Sequence, residues 1–172
     1  LDASTGIMYG KAWVGGTNGQ GSLYSFDPSS STYTEIHAFD GTNGGNPYAG
    51  SVKLTSTGKL ISTTQSGGTS GLGVLFEYDL SSSTYSVLTH FNNTNGRNGY
   101  NGAMEANNGS YYGITYQGGT SGVGVIYKYD PSTSTHSVGH NFDGTTGSYA
   151  YWSNLISLCG VAEQTVTSTD IE

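Results

Sequence analysis

The sequence is poor in cysteine, in charge and in long apolar runs, and each shortage excludes something. Cys159 is the single cysteine among 172 residues, so the chain cannot form an internal disulfide. Charged residues make up 10% of the chain, with 12 acidic against 5 scattered basic side chains. We therefore expect no nucleic-acid partner and no anionic membrane surface. No apolar run approaches the roughly 18 residues of a membrane-spanning helix.

Strong helix formers are also scarce, whereas turn-forming residues are abundant. Glycine, serine, threonine and asparagine supply half of the chain. These residue types are poor to middling helix formers. The 14 tyrosines and 5 phenylalanines argue against disorder, because disordered chains have few aromatic residues. The composition predicts an all-β protein with many tight turns.

The chain repeats itself with a period of 51 to 52 residues. GGTNGQGSLYSFDP begins at Gly15, GGTSGLGVLFEYDL at Gly67 and GGTSGVGVIYKYDP at Gly118. Each unit contains four strand-sized runs separated by turn residues. In the first unit we expect these runs at Ile7–Val14, Ser22–Asp27, Tyr33–Phe39 and about Ala49–Thr55.

The second run of each unit alternates with a period of two. Val74, Phe76 and Tyr78 fall on one face of the predicted strand, and Leu75 and Glu77 fall on the other. The alternation predicts one packed face and one partly wet face. Four short antiparallel strands in about 50 residues are typical of a propeller blade, in which aromatic faces stack between blades.

We therefore predict an all-β, kelch-like β-propeller of about three four-stranded antiparallel blades, in units near 6–57, 58–108 and 109–160. Residues 161–172 are expected to be a linker or the start of a further element. Propellers close with four to eight blades. The chain also begins inside a blade, without an initiating methionine. We thus expect it to be part of a larger propeller, closed by further blades or by another chain.

Two families resemble these motifs. The Gly15-Gly16 doublet, the Tyr24-Ser25-Phe26-Asp27-Pro28 turn and Tyr33 resemble a kelch repeat. The chain is more similar to the bacterial GloVer tandem repeats, which resemble it at Met8-Tyr9-Gly10, in the run GLGVLF from Gly71 and in the run FDGTNG from Phe39. This resemblance implies an exported bacterial surface protein but no particular reaction. Unit two departs from it, because Asn92-Asn93 replaces the Asp-Gly of the turn.

Several acidic residues recur in register, and most of them are expected to form turns. Asp27, Asp79 and Asp130 each precede a Ser-rich turn, where a carboxylate accepts backbone N–H bonds. Asp40 and Asp143 begin loops that faintly resemble calcium loops. They lack the glutamate that an EF-hand needs at its twelfth position. We predict no metal ion and no other cofactor, with Asp40 and Asp143 as the weak calcium candidates.

The positions that vary between units are the candidate ligand contacts. Trp13 and Tyr116 precede the Gly-Gly doublets of units one and three, and Tyr149, Tyr151 and Trp152 cluster near the last run. Exposed Trp and Tyr rings stack on sugars or anchor protein partners. Packing specific to one blade would also explain such variation.

The first hypothesis for function is a non-enzymatic, exported or cell-surface module that binds a glycan or a protein. A carbohydrate-active enzyme is the second, although no catalytic set can be named from the residues. A structural or cargo role in secretion, with no ligand of its own, is the third.

Overall fold

The computed structural model describes residues 6–151, 153, 155 and 156 and contains three antiparallel sheets. Sheet 1 consists of β1 (Met8–Ala12), β2 (Ser22–Asp27) and β3 (Thr32–Ala38). Sheet 2 consists of β4 (Lys53–Leu54), β5 (Lys59–Thr63), β6 (Val74–Asp79) and β7 (Thr84–His90). Sheet 3 consists of β8 (Ala103–Glu105), β9 (Tyr111–Ile114), β10 (Val125–Asp130) and β11 (Thr135–Asn141).

Every sheet is a meander in which each strand pairs with its neighbours in sequence. The prediction of an all-β protein built from blade-like antiparallel sheets is confirmed. The sheets share one irregularity: the pairing of the two outer strands shifts at Leu23/Tyr24, Leu75/Phe76 and Ile126/Tyr127. The repeat in sequence is therefore also a repeat of backbone detail, including this bulge.

The fourth run of each sequence unit lies in the following sheet. β4 pairs with β5 and β8 pairs with β9, so the inner strand of sheets 2 and 3 comes from the unit before. Among the described residues, sheet 1 has three strands, and residues 161–172 fall outside the described part. The predicted fourth run at Ala49–Thr55 is shorter in the structure, where only Lys53–Leu54 pair as a strand.

The hairpin turns follow from the recurring aspartates. Asp27, Asp79 and Asp130 each accept a hydrogen bond from the backbone N–H two residues on, at 2.8, 2.8 and 3.0 Å. Hydrogen bonds from the hydroxyl groups of Ser29, Ser81 and Ser132, together with these backbone bonds, stabilise the carboxylates and lower their pKa values. The prediction that these aspartates form turns is confirmed.

The core forms two layers, one between each pair of sheets. Phe76 and Tyr78 of sheet 2 pack on Leu23 and Phe39 of sheet 1. Leu75, on the opposite face of sheet 2, packs on sheet 3 and is fully buried. On this second face Leu75 is closed off because sheet 3 covers it, whereas Glu77 stays partly exposed. The inner strands of the two sheets also approach each other, with β4 and β5 of sheet 2 lying against β8 of sheet 3.

Candidate functional site

The loops that join one sheet to the next meet the turns after β1, β5 and β9 at one end of the molecule. A repeated pair of backbone bonds holds them together. Asn46 donates its N–H to the carbonyl of Gln20 at 2.7 Å and accepts from Gln65 at 3.2 Å. In the next unit Asn98 does the same with Leu72 and Tyr116, at 2.9 and 3.2 Å. The ends of neighbouring sheets are thereby joined edge to edge.

Six aromatic side chains gather on this end, and we call them the aromatic cluster. Its members are Trp13, Tyr48, Tyr100, Tyr116, Tyr149 and Tyr151. Trp13 contacts Tyr48 edge to face at 5.0 Å between ring centroids, and Tyr48 contacts Tyr100 at 5.7 Å. Tyr116 lies 5.1 Å from Tyr100, 5.3 Å from Tyr149 and 5.3 Å from Tyr151. Tilted and edge-to-face pairs of this kind are favourable arrangements for aromatic rings.

Three members of the cluster occupy the same place in the three units. Tyr48, Tyr100 and Tyr151 are separated by the repeat spacing of 52 and 51 residues. Tyr100 lies 4.9 Å from Tyr151, and Tyr48 lies 6.5 Å from Tyr151 although two units separate them. Equivalent residues of three successive sheets can touch in this way only where the sheets converge. The cluster therefore marks the convergent, inner side of the molecule.

Tyr149 has a backbone conformation that is unusual for a bulky residue. Its φ is 49°, in the left-handed region, and its counterparts Asn46 and Asn98 have φ values of 48° and 53°. The same hydrogen bond imposes this conformation, because Tyr149 donates its N–H to Val123 at 2.8 Å. Asparagine tolerates the left-handed region well, whereas tyrosine does not. Unit three thus places an exposed ring where the other units have an amide.

Two hydroxyl groups of the cluster, those of Tyr100 and Tyr151, are held in their neutral form. Gln65, the counterpart of Trp13 and Tyr116, donates its side-chain amide to the Tyr100 hydroxyl at 3.0 Å. Burial and the neighbouring Tyr116 raise the pKa of Tyr100. A hydrogen bond with Tyr48 raises the pKa of Tyr151. The site can therefore offer both ring surface and neutral O–H groups.

The surface of the cluster is open and almost free of charge. Trp13 is 49% exposed, Tyr149 46% and Tyr48 39%, whereas the other three rings are half-buried. Arg97 is the one cationic residue in the described loops at this end. Its backbone pairs with Gln117, and its enclosed Nε atom has no hydrogen-bond partner among the described residues. An uncharged platform of this kind suits a polar, uncharged ligand.

The structure brings most of the predicted ligand residues together. Trp13, Tyr116, Tyr149 and Tyr151 all belong to the aromatic cluster, whereas Trp152 lies outside the described residues. Sequence reasoning did not select Tyr48 and Tyr100, because it looked for positions that vary between units. Tyr48, Tyr100 and Tyr151 are the same residue at the same position of the three units, and this repetition was the signal that could have found them.

Residues 1–170 match the Gloeobacter/Verrucomicrobia repeat family. The chain belongs to this family. No curated protein matches it. Among solved structures it is similar to TolB from Acinetobacter baumannii, with 19% identity and a TM-score of 0.49. That match covers 80% of this chain and 33% of the TolB chain, so this sequence spans a third of that structure's length.

In this Gloeobacter/Verrucomicrobia repeat the two calcium candidates, Asp40 and Asp143, accept hydrogen bonds within the turns that they begin. The Asp40 carboxylate accepts the backbone N–H groups of Thr42 and Asn43, both at 2.8 Å. Asp143 accepts those of Thr145 and Thr146 at 2.8 and 2.7 Å. These bonds lower the pKa of both carboxyl groups. The described residues hold no group of three or more His, Cys, Asp or Glu side chains that could bind a metal ion.

Within the described part of the chain, no helix has the length and apolar character needed to cross a bilayer.

Proposed function

We propose that this member of the Gloeobacter/Verrucomicrobia repeat family is a binding module that takes a carbohydrate on its aromatic cluster. The observation that carries the proposal is the continuous chain of ring contacts from Trp13 through Tyr48, Tyr100 and Tyr116 to Tyr149. Sugar rings present apolar C–H faces, which stack on exposed aromatic rings. Their hydroxyl groups pair with the neutral donors and acceptors of Gln65 and the tyrosine hydroxyls.

The conformation of Tyr149 supports a ligand role for this ring. A strained left-handed residue at an exposed position costs about 1–3 kcal/mol and persists where it serves a purpose. Asparagine, which fills the same place in the other two units, would avoid that cost. The tyrosine extends the ring surface next to Tyr116 by one further side chain.

The near absence of charge favours a neutral glycan over an ionic partner. Among the described residues near the cluster, Arg97 is the cation in the loops, and Lys11 is buried with its ammonium group held by neutral acceptors, among them the carbonyl of Ala49. Asp40 and Asp143 are bonded within their own turns. Composition supports the wider proposal of an exported or cell-surface setting, because a polar and weakly acidic repeat suits adhesion outside the cell. A protein ligand is the competing partner, and the experiment below separates the two.

Intrinsic fluorescence gives a direct test, because Trp13 is one of only two tryptophans in the chain. Soluble neutral polysaccharides are titrated into the 172-residue chain, alongside a glycan array. Isothermal titration calorimetry measures binding by Trp13→Ala, which lacks this fluorescent reporter. We expect saturable binding that Trp13→Ala weakens roughly 5- to 150-fold, since loss of a stacked ring costs roughly 1–3 kcal/mol. Tyr149→Asn should weaken binding while raising the stability of the free protein by about 1 kcal/mol.

Leu54→Ala provides the control, because Leu54 is a 45% exposed apolar residue on β4, outside the cluster. Its binding should equal that of the wild type. Equal weakening in Leu54→Ala and Trp13→Ala, or no binding of any glycan, would contradict the proposal. Capture of a protein but of no glycan would replace the carbohydrate by a protein ligand at this site.

A further inference from the structure

Sheet 1 exposes a face that is buried in both other sheets. We call this the front face of each sheet, and in sheet 1 it consists of Met8, Tyr24, Phe26 and Tyr33. The counterparts are Leu60, Phe76, Tyr78 and Tyr85 in sheet 2 and Tyr111, Tyr127, Tyr129 and His136 in sheet 3. Met8 is 45% exposed, whereas Leu60 and Tyr111 are 1% and 3% exposed. An open groove follows this face, lined by Met8, Tyr9, Ala12, Tyr24, Phe26 and Tyr33.

The structure shows twice what covers such a front face. The opposite or back face of sheet 1, with Leu23 and Phe39, covers the front of sheet 2. The back face of sheet 2, with Leu75 and Phe91, covers the front of sheet 3. All four of these back-face side chains are fully buried. A front face therefore has a defined complement, which is the back face of the preceding blade.

The complementary free face is present at the other end of the described chain. Ile126 and Phe142 of sheet 3 occupy the registers of Leu75 and Phe91. They are half-buried, because within the described residues no sheet lies on them. The described part of the chain thus has an open front face on sheet 1 and an open back face on sheet 3.

The front face of sheet 1 also carries two polar residues, and neither of them prevents another sheet from packing on it. Ser22 stands where sheet 2 has Val74, and it is already buried. Glu35 stands where sheet 2 has Val87, but its carboxylate accepts the N–H of Thr17 at 3.2 Å. His90 and Asn141 hold the equivalent loops in the other sheets, through the N–H groups of Thr69 and Thr120. Glu35 is therefore engaged by its own loop.

We propose that the open front face of sheet 1 joins the open back face of sheet 3 of a second copy of this chain. Two copies joined head to tail would bury all four end faces and give a ring of six blades, within the range of four to eight that propellers use. A joint between unlike faces closes into a ring when its rotation allows, and two identical joints make this ring symmetric. The occupant is a second copy because the chain itself carries the matching face.

Sedimentation velocity on the 172-residue chain tests the proposal. We expect a dimer for the wild type. The front-face variant Met8→Asp/Tyr33→Asp and the back-face variant Ile126→Asp should each be monomeric on their own. Their equimolar mixture should again contain a dimer, because one intact front face meets one intact back face. Phe142→Ser serves as a second back-face variant, and circular dichroism verifies that each variant is folded.

Val14→Asp is the matched control, since Val14 is a 56% exposed apolar residue in a loop. This variant should remain a dimer. A monomeric wild type at every concentration would overturn the proposal. So would a variant altered on one face that still dimerises alone, because that result means that like faces meet. None of these outcomes depends on whether the aromatic cluster binds a ligand.

Discussion

At the scale of single residues, the most unusual environment belongs to Lys11. Its ammonium group donates to the Ser62 hydroxyl at 2.8 Å and to the carbonyls of Ala49 and Thr63 at 2.9 and 3.1 Å. These acceptors are neutral, and burial lowers the pKa of Lys11 to about 7. Unit two has Thr63 at the same register, whose hydroxyl donates to the carbonyls of Gly99 and Asn101. The Lys11 ammonium group thus links sheet 1 to the following segment of the chain, as the Thr63 hydroxyl does in unit two.

This environment predicts a specific dependence of stability on pH. Because the pKa of Lys11 is lower in the folded than in the unfolded chain, the unfolded state binds more protons between about pH 7 and pH 10. Burial of the charged lysine therefore destabilises the fold fully below pH 7, and this cost falls as the pH rises. We expect Lys11→Met to gain more stability relative to the wild type at pH 6 than at pH 9.

Chemical unfolding of both proteins at several pH values measures this difference. Lys53→Met is the control, because Lys53 is an exposed lysine on β4. Its difference from the wild type should stay constant across the same range. A constant difference for Lys11→Met as well would show that Lys11 keeps its charge in the folded state.

At the scale of elements, the glycines before each second strand set how closely the turn approaches its neighbour. Gly73 has a φ of +98°, and a Cβ at this position would overlap the carbonyl oxygen of Thr64. Gly71, two residues earlier, also has a positive φ of +71° but open space around it. The two positions therefore separate the cost of backbone conformation from the cost of contact.

We expect Gly71→Ala to reduce the free energy of unfolding by about 1 kcal/mol, the cost of a left-handed alanine. Gly73→Ala should cost at least about 2 kcal/mol more, because the added methyl group must push β5 and the turn apart. Denaturant unfolding of the two variants measures both values. Equal losses would mean that the turn before β6 shifts freely, contrary to the tight packing described above.

The strands were predictable from local pattern, whereas their partners across sheets were not. Alternation from Val74 to Asp79 identifies a strand and tells which side chains share a face. It does not reveal that Leu75 meets a second sheet, because that sheet begins some 30 residues later. The same limit applies to Lys11, whose acceptors lie 38 to 52 residues away. In the aromatic cluster, a search for variation between units found Trp13 and Tyr149 but passed over the invariant Tyr48 and Tyr100.

At the scale of the whole molecule, the two ends differ from the middle in how much a core residue contributes. Phe91 is fully buried between sheets 2 and 3, whereas Phe142 has the same register in sheet 3 and is half-buried. Phe91→Ala should cost about 3–5 kcal/mol. Phe142→Ala should cost less than half as much in the monomer, because fewer contacts are lost.

Thermal or denaturant unfolding at a concentration low enough to keep the chain monomeric gives both values. The difference should shrink at high concentration if the back face of sheet 3 joins a second copy. Equal costs for Phe91→Ala and Phe142→Ala in the monomer would mean that the end face is already covered within the chain.

The last strand of each sequence unit forms the inner strand of the following sheet, and this arrangement has a consequence for the gene. A coding segment of one period contains four strands wherever it begins, because no residue of the repeat is a privileged starting point. Unequal crossing over between the codons for Gly15 and Gly67, or between any other matched pair, would therefore insert or delete one whole blade without leaving a strand unpaired. Such a gene can change its blade number in single steps, and selection then acts on which numbers close into a ring.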